Sequence, residues 1–287
     1  MASDWSGSIL GLLEETLPAC GERLRVLARR ARAGGDEELV HDLRVALRRT
    51  EALARLFRDT PGKGDGEALR SLARDLRRRL SVLRTEEVGR ALLASRAEMP
   101  DSRLPSIVFP GDLPAVRVDA AEVAAVEREL GRWRRRLASV RGAFAPRASA
   151  RKEVLRRTRR RLIRLVRQLL ALLPPDRRTL HDARIAAKRV RYALEVVAPL
   201  HPRAGPLLRR LGSFQDAAGD SHDFAELAER LGAVAAEDGA LDLAVTALTR
   251  QLETDAERAF ASARKRGVAL EGPIRRLRRS LGKLETR

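Results

Sequence analysis

A nine-residue segment rich in cationic side chains occurs twice in the chain, at residues 41–49 and 181–189. The copies read HDLRVALRR and HDARIAAKR, and the whole chain has only four histidines. In each copy a His, an Arg and a second cation stand at i, i+3 and i+7, which is one stripe of an α-helix. Such a stripe holds several N–H donors in a row, so it predicts a surface that binds an anion. The residues on or beside the two stripes are His41, Arg44, Arg48 and Arg49, and His181, Arg184, Lys188, Arg189 and Arg191.

Two other helical segments also concentrate arginine. Like charges at i, i+4 destabilise an isolated helix by a few tenths of a kcal/mol per pair, so such clusters do not help folding. A solvated charged face is the usual explanation of one basic helix, but it gives no reason to repeat a rare His at the same offset. An anionic partner is the more economical explanation. The further candidate ligands are Arg157, Arg160, Arg161 and Arg164 in the fifth predicted helix, with Arg23 and Arg30 in the first.

These side chains are positioned by helices, because helical periodicity runs through nearly the whole chain. The exception is the stretch 98–118, where four prolines predict a linker with a short extended piece at 106–109. Pro18 is expected to kink or split the first helix. The pattern predicts helices at about residues 9–33, 36–58, 67–97, 120–144, 148–173, 176–199, 203–231 and 239–265.

With four helices on each side and a motif on the second helix of each half, the simplest assembly is all-α. We expect two pseudo-twofold-related four-helix bundles with long helices around a basic central channel. The pseudo-repeats would cover 8–145 and 146–270, with the linker 98–118 inside the first half. A basic tail at 271–287 would follow, with a possible short last helix.

The net charge of +19 and the isoelectric point near 11.4 are the dominant global properties. A field of that strength attracts polyanions such as nucleic acid, an anionic membrane or polyphosphate. No apolar run is long enough to span a bilayer, and the first residues do not read as a secretory signal. The single cysteine, Cys20, cannot form an internal disulfide. A cytoplasmic protein is therefore expected.

The longer context of the second copy, LHDARIAAKRVRYALE at 180–195, resembles a signature helix of the CHAD family, the conserved histidine α-helical domain. The first copy, at 41–49, is similar to that family's other signature helix. Downstream, Gln215-Asp216 with Gly219 and Asp223 resembles the motif of the family's second half. The resemblance covers nearly the entire chain and suggests a single CHAD-type domain over 1–287.

What this resemblance implies is a pair of pseudo-symmetric four-helix bundles that bind inorganic polyphosphate along a basic channel at their junction. Family members are associated with polyphosphate granules and are not established enzymes. The implied ligands are the His, Arg and Lys residues of the two copies. Two positions depart from the family: Glu51 stands where an Arg is usual, opposite Arg191, and residues 84–88 match an Arg-Asp-x-Asp-Val pattern only loosely. The first half is therefore expected to bind less tightly than the second.

Composition favours the same ligand on independent grounds. Aromatic residues make up 3% of the chain, and Tyr192 is the sole tyrosine. Proteins that bind single-stranded nucleic acid usually place aromatic side chains among their cations, because the bases stack on them. Polyphosphate has no bases, so guanidinium groups and positive charge are enough to bind it. Its binding is expected to weaken steeply with salt. Phosphate or sulfate ions would bind the same groups.

Three alternatives remain open. Double-stranded nucleic acid would use the same charge. A metal site could draw on His41, His181, Asp42, Asp182, His222, Asp220 and Asp223, although the neighbouring arginines disfavour a cation. A metal-dependent phosphohydrolase would need a carboxylate cluster, for which Asp216, Asp220 and Asp223 have a suitable spacing. We expect no catalytic residues, no metal and no cofactor, and a module that recruits a protein partner to granules would overlap with polyphosphate binding.

Overall fold

The structure is a computed structural model that describes residues 5–34, 37–58, 64, 66–95, 107–109, 118–144, 148–198, 204–237 and 242–283. Helices account for nearly all of these residues, and no strand occurs among them. The prediction of an all-α chain is confirmed. The helices are α1 (Trp5–Arg32), α2 (Glu37–Phe57), α3 (Glu67–Ala94), α4 (Ala120–Phe144), α5 (Ala148–Leu170), α6 (Leu180–Val197), α7 (Ala204–Glu237) and α8 (Asp242–Lys283).

The first four helices pack around a common apolar interior. In α2 the buried residues Leu39, Leu43, Leu47 and Ala54 recur at helical spacing, which gives the helix one apolar side. Helix α1 packs on α2 and α4, and α3 packs on the same two helices. This closed ring of neighbours is the packing expected within a four-helix bundle.

The last four helices repeat this order of neighbours. Helix α5 packs on α6 and α8, and α7 packs on the same two helices. The buried face of α6 is made largely of small residues, including Ala183, Ala186 and Ala187, which let neighbouring helices approach closely. The pseudo-twofold relation between the halves and the boundaries of the pseudo-repeats stay predictions.

The two halves share one hydrophobic core. Helices α1 and α2 contact α5, and the two motif helices α2 and α6 contact each other directly. Every helix contributes buried residues to this core, and α8 does so only through its C-terminal half. A second, smaller cluster joins the end of α3 to α7 and α8, and it includes Val108 and Phe109. The junction of the halves is therefore fixed by apolar packing.

Helix α8 is longer than the periodicity predicts. The expectation that it ends near residue 265 is wrong, because it continues through Pro273 to Lys283. Ile274, Leu277 and Leu281 are buried and extend the apolar stripe of the helix, which outweighs the helix-breaking tendency of proline. The predicted basic tail is thus the end of α8 as far as Lys283, and residues 284–287 lie outside the described residues.

Smaller differences concern other boundaries and the linker. Helix α1 runs without a break past Pro18, which is exposed, so water can reach the carbonyl that the proline leaves without a donor. The expected extended piece at 106–109 is instead a short helical turn at residues 107–108. Most of the predicted linker 98–118 lies outside the described residues. None of the described helices has an apolar stretch long enough to cross a bilayer.

Candidate functional site

The two repeated segments meet at one cavity between the halves of the molecule, here called the central cavity. It has a volume of about 570 Å³. Its lining combines cations from both motif helices with side chains of α7, because α2 contacts α6 and α6 contacts α7. The cations that line it are Arg44 and Arg48 of α2, Arg184, Lys188 and Arg191 of α6, and Arg230 of α7.

The cations of α2 are anchored by hydrogen bonds. Arg44 is buried, and its Nη1 donates to the Leu80 carbonyl of α3 at 3.0 Å. Arg48 Nη1 donates to the Tyr192 hydroxyl of α6 at 3.2 Å, so this bond joins the two halves across the cavity wall. Both guanidinium groups are therefore held in place by hydrogen bonds within the protein.

Lys188 has the most perturbed titration in the site. Burial lowers the pKa of its ammonium group to about 7, and the nearby charges of Arg184, Arg48 and Arg44 act in the same direction. Asp223 opposes them only in part. A cation surrounded by other cations and removed from water is stabilised by an anion placed beside it.

A buried amide completes the cationic wall. Arg191 Nε donates to Glu195 at 3.1 Å, and Arg191 Nη1 donates to Gln215 Oε1 at 3.2 Å. Because the arginine fixes the oxygen side of the amide, the Nε2 donor of Gln215 is directed elsewhere. That donor is buried and has no hydrogen-bond acceptor among the described residues. An acceptor oxygen in the cavity would satisfy it.

Carboxylates of α7 also line the central cavity. They are Asp216, Asp220, Asp223 and Glu226. Burial raises the pKa of the Asp220 carboxyl, and the charges of Asp223 and Asp216 raise it further, whereas Arg266 and Arg184 lower it. Within the described part of the chain, no three His, Cys, Asp or Glu side chains are grouped closely enough to hold a metal ion.

A second cavity of about 430 Å³, here called the adjoining cavity, lies next to the central one. Arg48, Lys188 and Tyr192 line both cavities, so they form the wall between them. Arg48, Lys188 and Arg189 belong to the repeated segments, whereas Arg55 lies beyond the first copy and the other lining cations come from α3, so the repeat does not point to them. The remaining cations that line it are Arg55, Arg70, Arg74, Arg77, Arg78 and Arg189.

Glu51 lies in the wall of this adjoining cavity. Its carboxylate accepts from Arg55 at 2.6 Å and from Arg77 at 3.2 Å, and its side chain is only 10% exposed. Burial lowers the pKa of Arg55, and Glu51 counteracts that effect. The residue that departs from the family pattern is therefore the counter-ion of two neighbouring arginines, which reduces the positive charge offered by the first half.

His181, the histidine of the second repeated segment, lines a third cavity, which also has a volume of about 430 Å³. The rings of His181 and His222 meet edge to face, with centroids 5.7 Å apart. Arg184 and His222 line both this cavity and the central one, so the second stripe continues across the boundary between them. His181 is thus placed beside the central cavity and separated from Lys188 by Arg184.

The other predicted ligands line none of these three cavities. Arg23 and Arg30 both bind the motif residue Asp42, at 2.7 and 2.9 Å. His41 is exposed, and the exposed Arg49 lies 3.6 Å from Glu195 of α6. The predicted ligands of α5 divide between inward and outward positions: Arg157 pairs with Glu153, Arg161 donates to the Leu56 carbonyl, and Arg160 and Arg164 are exposed.

The comparison with protein families agrees with this arrangement of two repeated helices. The model of the CHAD domain matches residues 15–232, which is most of the chain and includes both repeated segments and Gln215. Comparison with curated proteins and comparison with solved structures each give no match. Because the family model covers well over half of the sequence, the chain belongs to the CHAD family.

Proposed function

We propose that this protein binds inorganic polyphosphate in the central and adjoining cavities and does so without a chemical step. The observation that carries the proposal is the shared wall of Arg48, Lys188 and Tyr192, which makes the cations of the two cavities continuous. A row of cations that passes from one cavity to the next suits a linear anion better than a compact one. A guanidinium group can donate two parallel hydrogen bonds to the oxygens of one phosphate.

The state of the cavity groups supports an anionic ligand. Lys188 and Arg55 have lowered pKa values because they are removed from water, and a bound phosphate would relieve that cost. The buried Nε2 of Gln215 adds a neutral donor for a phosphate oxygen. Arg44 and Arg48 are already held by Leu80 and Tyr192, so little side-chain entropy remains to be lost on binding.

The lining offers little to a nucleic-acid base. The described aromatic side chains at the two cavities are Phe109, Tyr192 and His222 at the central cavity and Tyr192 alone at the adjoining one. The Tyr192 hydroxyl accepts from Arg48, and the face of Phe109 is covered by Arg90 and Arg230. Single-strand binders instead present free aromatic faces for successive bases.

Binding of this kind would place the protein on polyphosphate granules in the cytoplasm. A fluorescent fusion is expected to follow the granules and to become diffuse in cells that make no polyphosphate. Persistent foci in such cells would show that a protein partner recruits the chain.

The direct test compares a cavity variant, Arg48→Gln with Lys188→Gln, with a control of equal charge. The control carries Arg128→Gln and Arg134→Gln, two exposed arginines of α4 that line neither cavity. The cavity variant should bind polyphosphate at least about tenfold more weakly at 150 mM salt, since each lost charged hydrogen bond costs about 1.5–3 kcal/mol. The control should bind polyphosphate with nearly the same affinity as wild type.

Duplex DNA at the same phosphate concentration is the competing ligand. The proposal expects polyphosphate to displace DNA, and preference for DNA would overturn it. Equal weakening by the cavity variant and the control would show that net charge, and no particular site, governs binding.

A further inference from the structure

Helices α5 and α8 run antiparallel in a fixed register within the second half. Near one end, Arg159 of α5 donates to the carbonyls of Leu281 and Gly282, with a distance of 3.1 Å to the latter. Near the other end, Gly267 of α8 approaches Leu173 and Pro175, just beyond α5. Residue 159 therefore lies opposite residue 281, and residue 173 lies opposite residue 267.

This register places the exposed arginines of α8 beside the middle of a row of exposed arginines on α5. On α5 they stand at i, i+4, i+8 and i+11, which is one stripe about 16 Å long at 1.5 Å per residue. The arginines of α8 at 275–279 lie level with residues 161–165 of α5. We call the set the outer arginine face, and its members are Arg156, Arg160, Arg164 and Arg167 of α5 with Arg275, Arg276, Arg278 and Arg279 of α8, all exposed.

Few carboxylates balance this face. Glu153 pairs with Arg156 at 2.6 Å, and Glu271 pairs with Arg275 at 3.3 Å. The other six arginines make no hydrogen bond or ion pair with any residue that the structure describes. Elsewhere on the surface arginines commonly have such partners, as Arg25 does with Glu22 and Glu127.

The outer arginine face is separate from the cavities. None of its eight members lines any of the three. The α5 arginines that turn inward, Arg159 and Arg161, bind backbone carbonyls of α8 and α2, so they hold the helix in place between the two regions. An anion on the outer face and one in the cavities can therefore be bound at the same time.

From these placements we propose that the outer arginine face binds a second segment of polyphosphate, so that one protein molecule holds two segments. This inference rests on the proposed function of the cavities. The row of α5 guanidinium groups, joined near its middle by those of α8, can bind a thin, flexible anion along its length, and no described aromatic side chain belongs to the face. When the two segments come from different chains, the protein cross-links them and condenses polyphosphate.

The test uses an outer variant with Arg160→Gln, Arg164→Gln, Arg278→Gln and Arg279→Gln. Its matched control loses four exposed arginines that lie apart on other surfaces: Arg128→Gln, Arg134→Gln, Arg209→Gln and Arg250→Gln. The number of short linear polyphosphate chains bound per molecule at saturation is measured by titration calorimetry. Light scattering with long-chain polyphosphate then reports cross-linking, and far-ultraviolet circular dichroism checks that each variant is folded.

At a chain concentration that just saturates wild type, we expect two short chains per molecule for wild type and control. At the same concentration we expect about one for the outer variant and for the cavity variant of Arg48 and Lys188, because the weakened site of each stays largely unfilled. Long-chain scattering should be strong for the first two proteins and weak for the last two. Two chains bound by the outer variant, or one by wild type, would overturn the second site. If the cavity variant keeps two chains while the outer variant binds one, the outer site stands and the cavity proposal fails.

Duplex DNA distinguishes the class of partner. The cavity variant, which keeps only the outer face, is titrated with polyphosphate and with DNA at equal phosphate concentration. Tighter binding of polyphosphate supports the inference, and tighter binding of DNA would assign the outer face to nucleic acid.

Discussion

Lys188 occupies the position where the central and adjoining cavities meet, and its chemistry differs from that of every arginine around it. An arginine stays charged at all accessible pH values, whereas a buried lysine can lose its proton. Burial and the charges of Arg184, Arg48 and Arg44 bring its pKa to about 7. Loss of the Lys188 proton can thus lower the positive charge of the site.

The first prediction concerns the pH dependence of binding. An anion beside Lys188 raises its pKa, so binding takes up a proton above pH 7. Below about pH 7 the lysine is charged in both states, and the affinity should level off. Above pH 7 the affinity should fall by up to about tenfold per pH unit. Isothermal titration of polyphosphate between pH 6.5 and 9 measures this trend.

The arginine variant provides the control for this prediction. Lys188→Arg keeps its charge over the whole range, so its affinity should be nearly constant with pH. The stability of the protein alone should move in the opposite direction. Between about pH 7 and the ordinary lysine pKa of 10.5, the unfolded chain holds the Lys188 proton more tightly than the folded one, so the wild-type melting temperature should rise over that window. A wild-type affinity as flat as that of Lys188→Arg would show that Lys188 does not meet the anion.

Residue types and spacing were enough to find most cations of the central cavity but not to exclude their neighbours. The i, i+3, i+7 stripe led to Arg44, Arg48, Arg184 and Lys188, because side chains on one helix face stay together. The concentration of arginine in the first helix also led to Arg23 and Arg30, which the structure pairs with Asp42. Ion pairs between helices depend on packing angles, and a sequence pattern does not contain them.

At the scale of elements, a short piece of the linker closes one end of the central cavity. Phe109 lines that cavity and packs between α3 and α7, where Arg90 and Arg230 cover its ring. The carbonyl of Phe109 also accepts from Arg90 Nη2 at 2.7 Å. The ring fits because residue 89 is a glycine: a Cβ there would lie 2.2 Å from the Phe109 ring.

We therefore expect Gly89→Ala to displace Phe109 and to open that end of the cavity. Overpacking of this kind usually costs about 1–3 kcal/mol, although alanine by itself favours a helix. Chemical denaturation measures the loss, and quenching of a probe attached near the cavity measures the gain in solvent access. The control is Gly232→Ala on α7, where an added Cβ meets nothing within 4 Å. It should stabilise the protein by about 0.5–1 kcal/mol, and an equal gain at both sites would contradict the packing argument.

The elements themselves were largely predictable, and the exceptions have physical causes. Leucine stripes such as Leu39, Leu43 and Leu47 in α2 give a clear 3.6-residue period. The end of α8 was missed because Gly272 and Pro273 signal a break locally, whereas the buried Ile274 and Leu277 continue the helix. Tertiary burial outweighs local propensity at such points.

At the scale of the whole molecule, which carries a net charge of +19, binding of a polyanion should depend strongly on salt. Binding releases counter-ions in proportion to the phosphates neutralised, so the logarithm of the affinity should fall linearly with the logarithm of salt concentration. The Arg48 and Lys188 cavity variant should have a shallower slope by up to about two contacts. An unchanged slope would mean that other cations form the site.

Thermal stability offers a second measure at this scale. A ligand that binds only the folded state raises the melting temperature, and a multivalent chain does so more strongly than its separate units. Polyphosphate should therefore raise the melting temperature well above the effect of orthophosphate at the same phosphate concentration. The difference should shrink as salt is added, and equal shifts from both ligands would argue against a linear binding track.

The apolar core that α1 and α2 share with α5 and α6 has a consequence for any attempt to dissect the protein. A fragment that ends near residue 145 would keep the first repeated segment but lose the helices that cover α1 and α2. Its exposed apolar face would favour pairing with the missing half supplied in trans, or with a second copy of itself by domain swapping. Neither half is therefore expected to bind a ligand as a separate unit, because its share of the common core would be exposed.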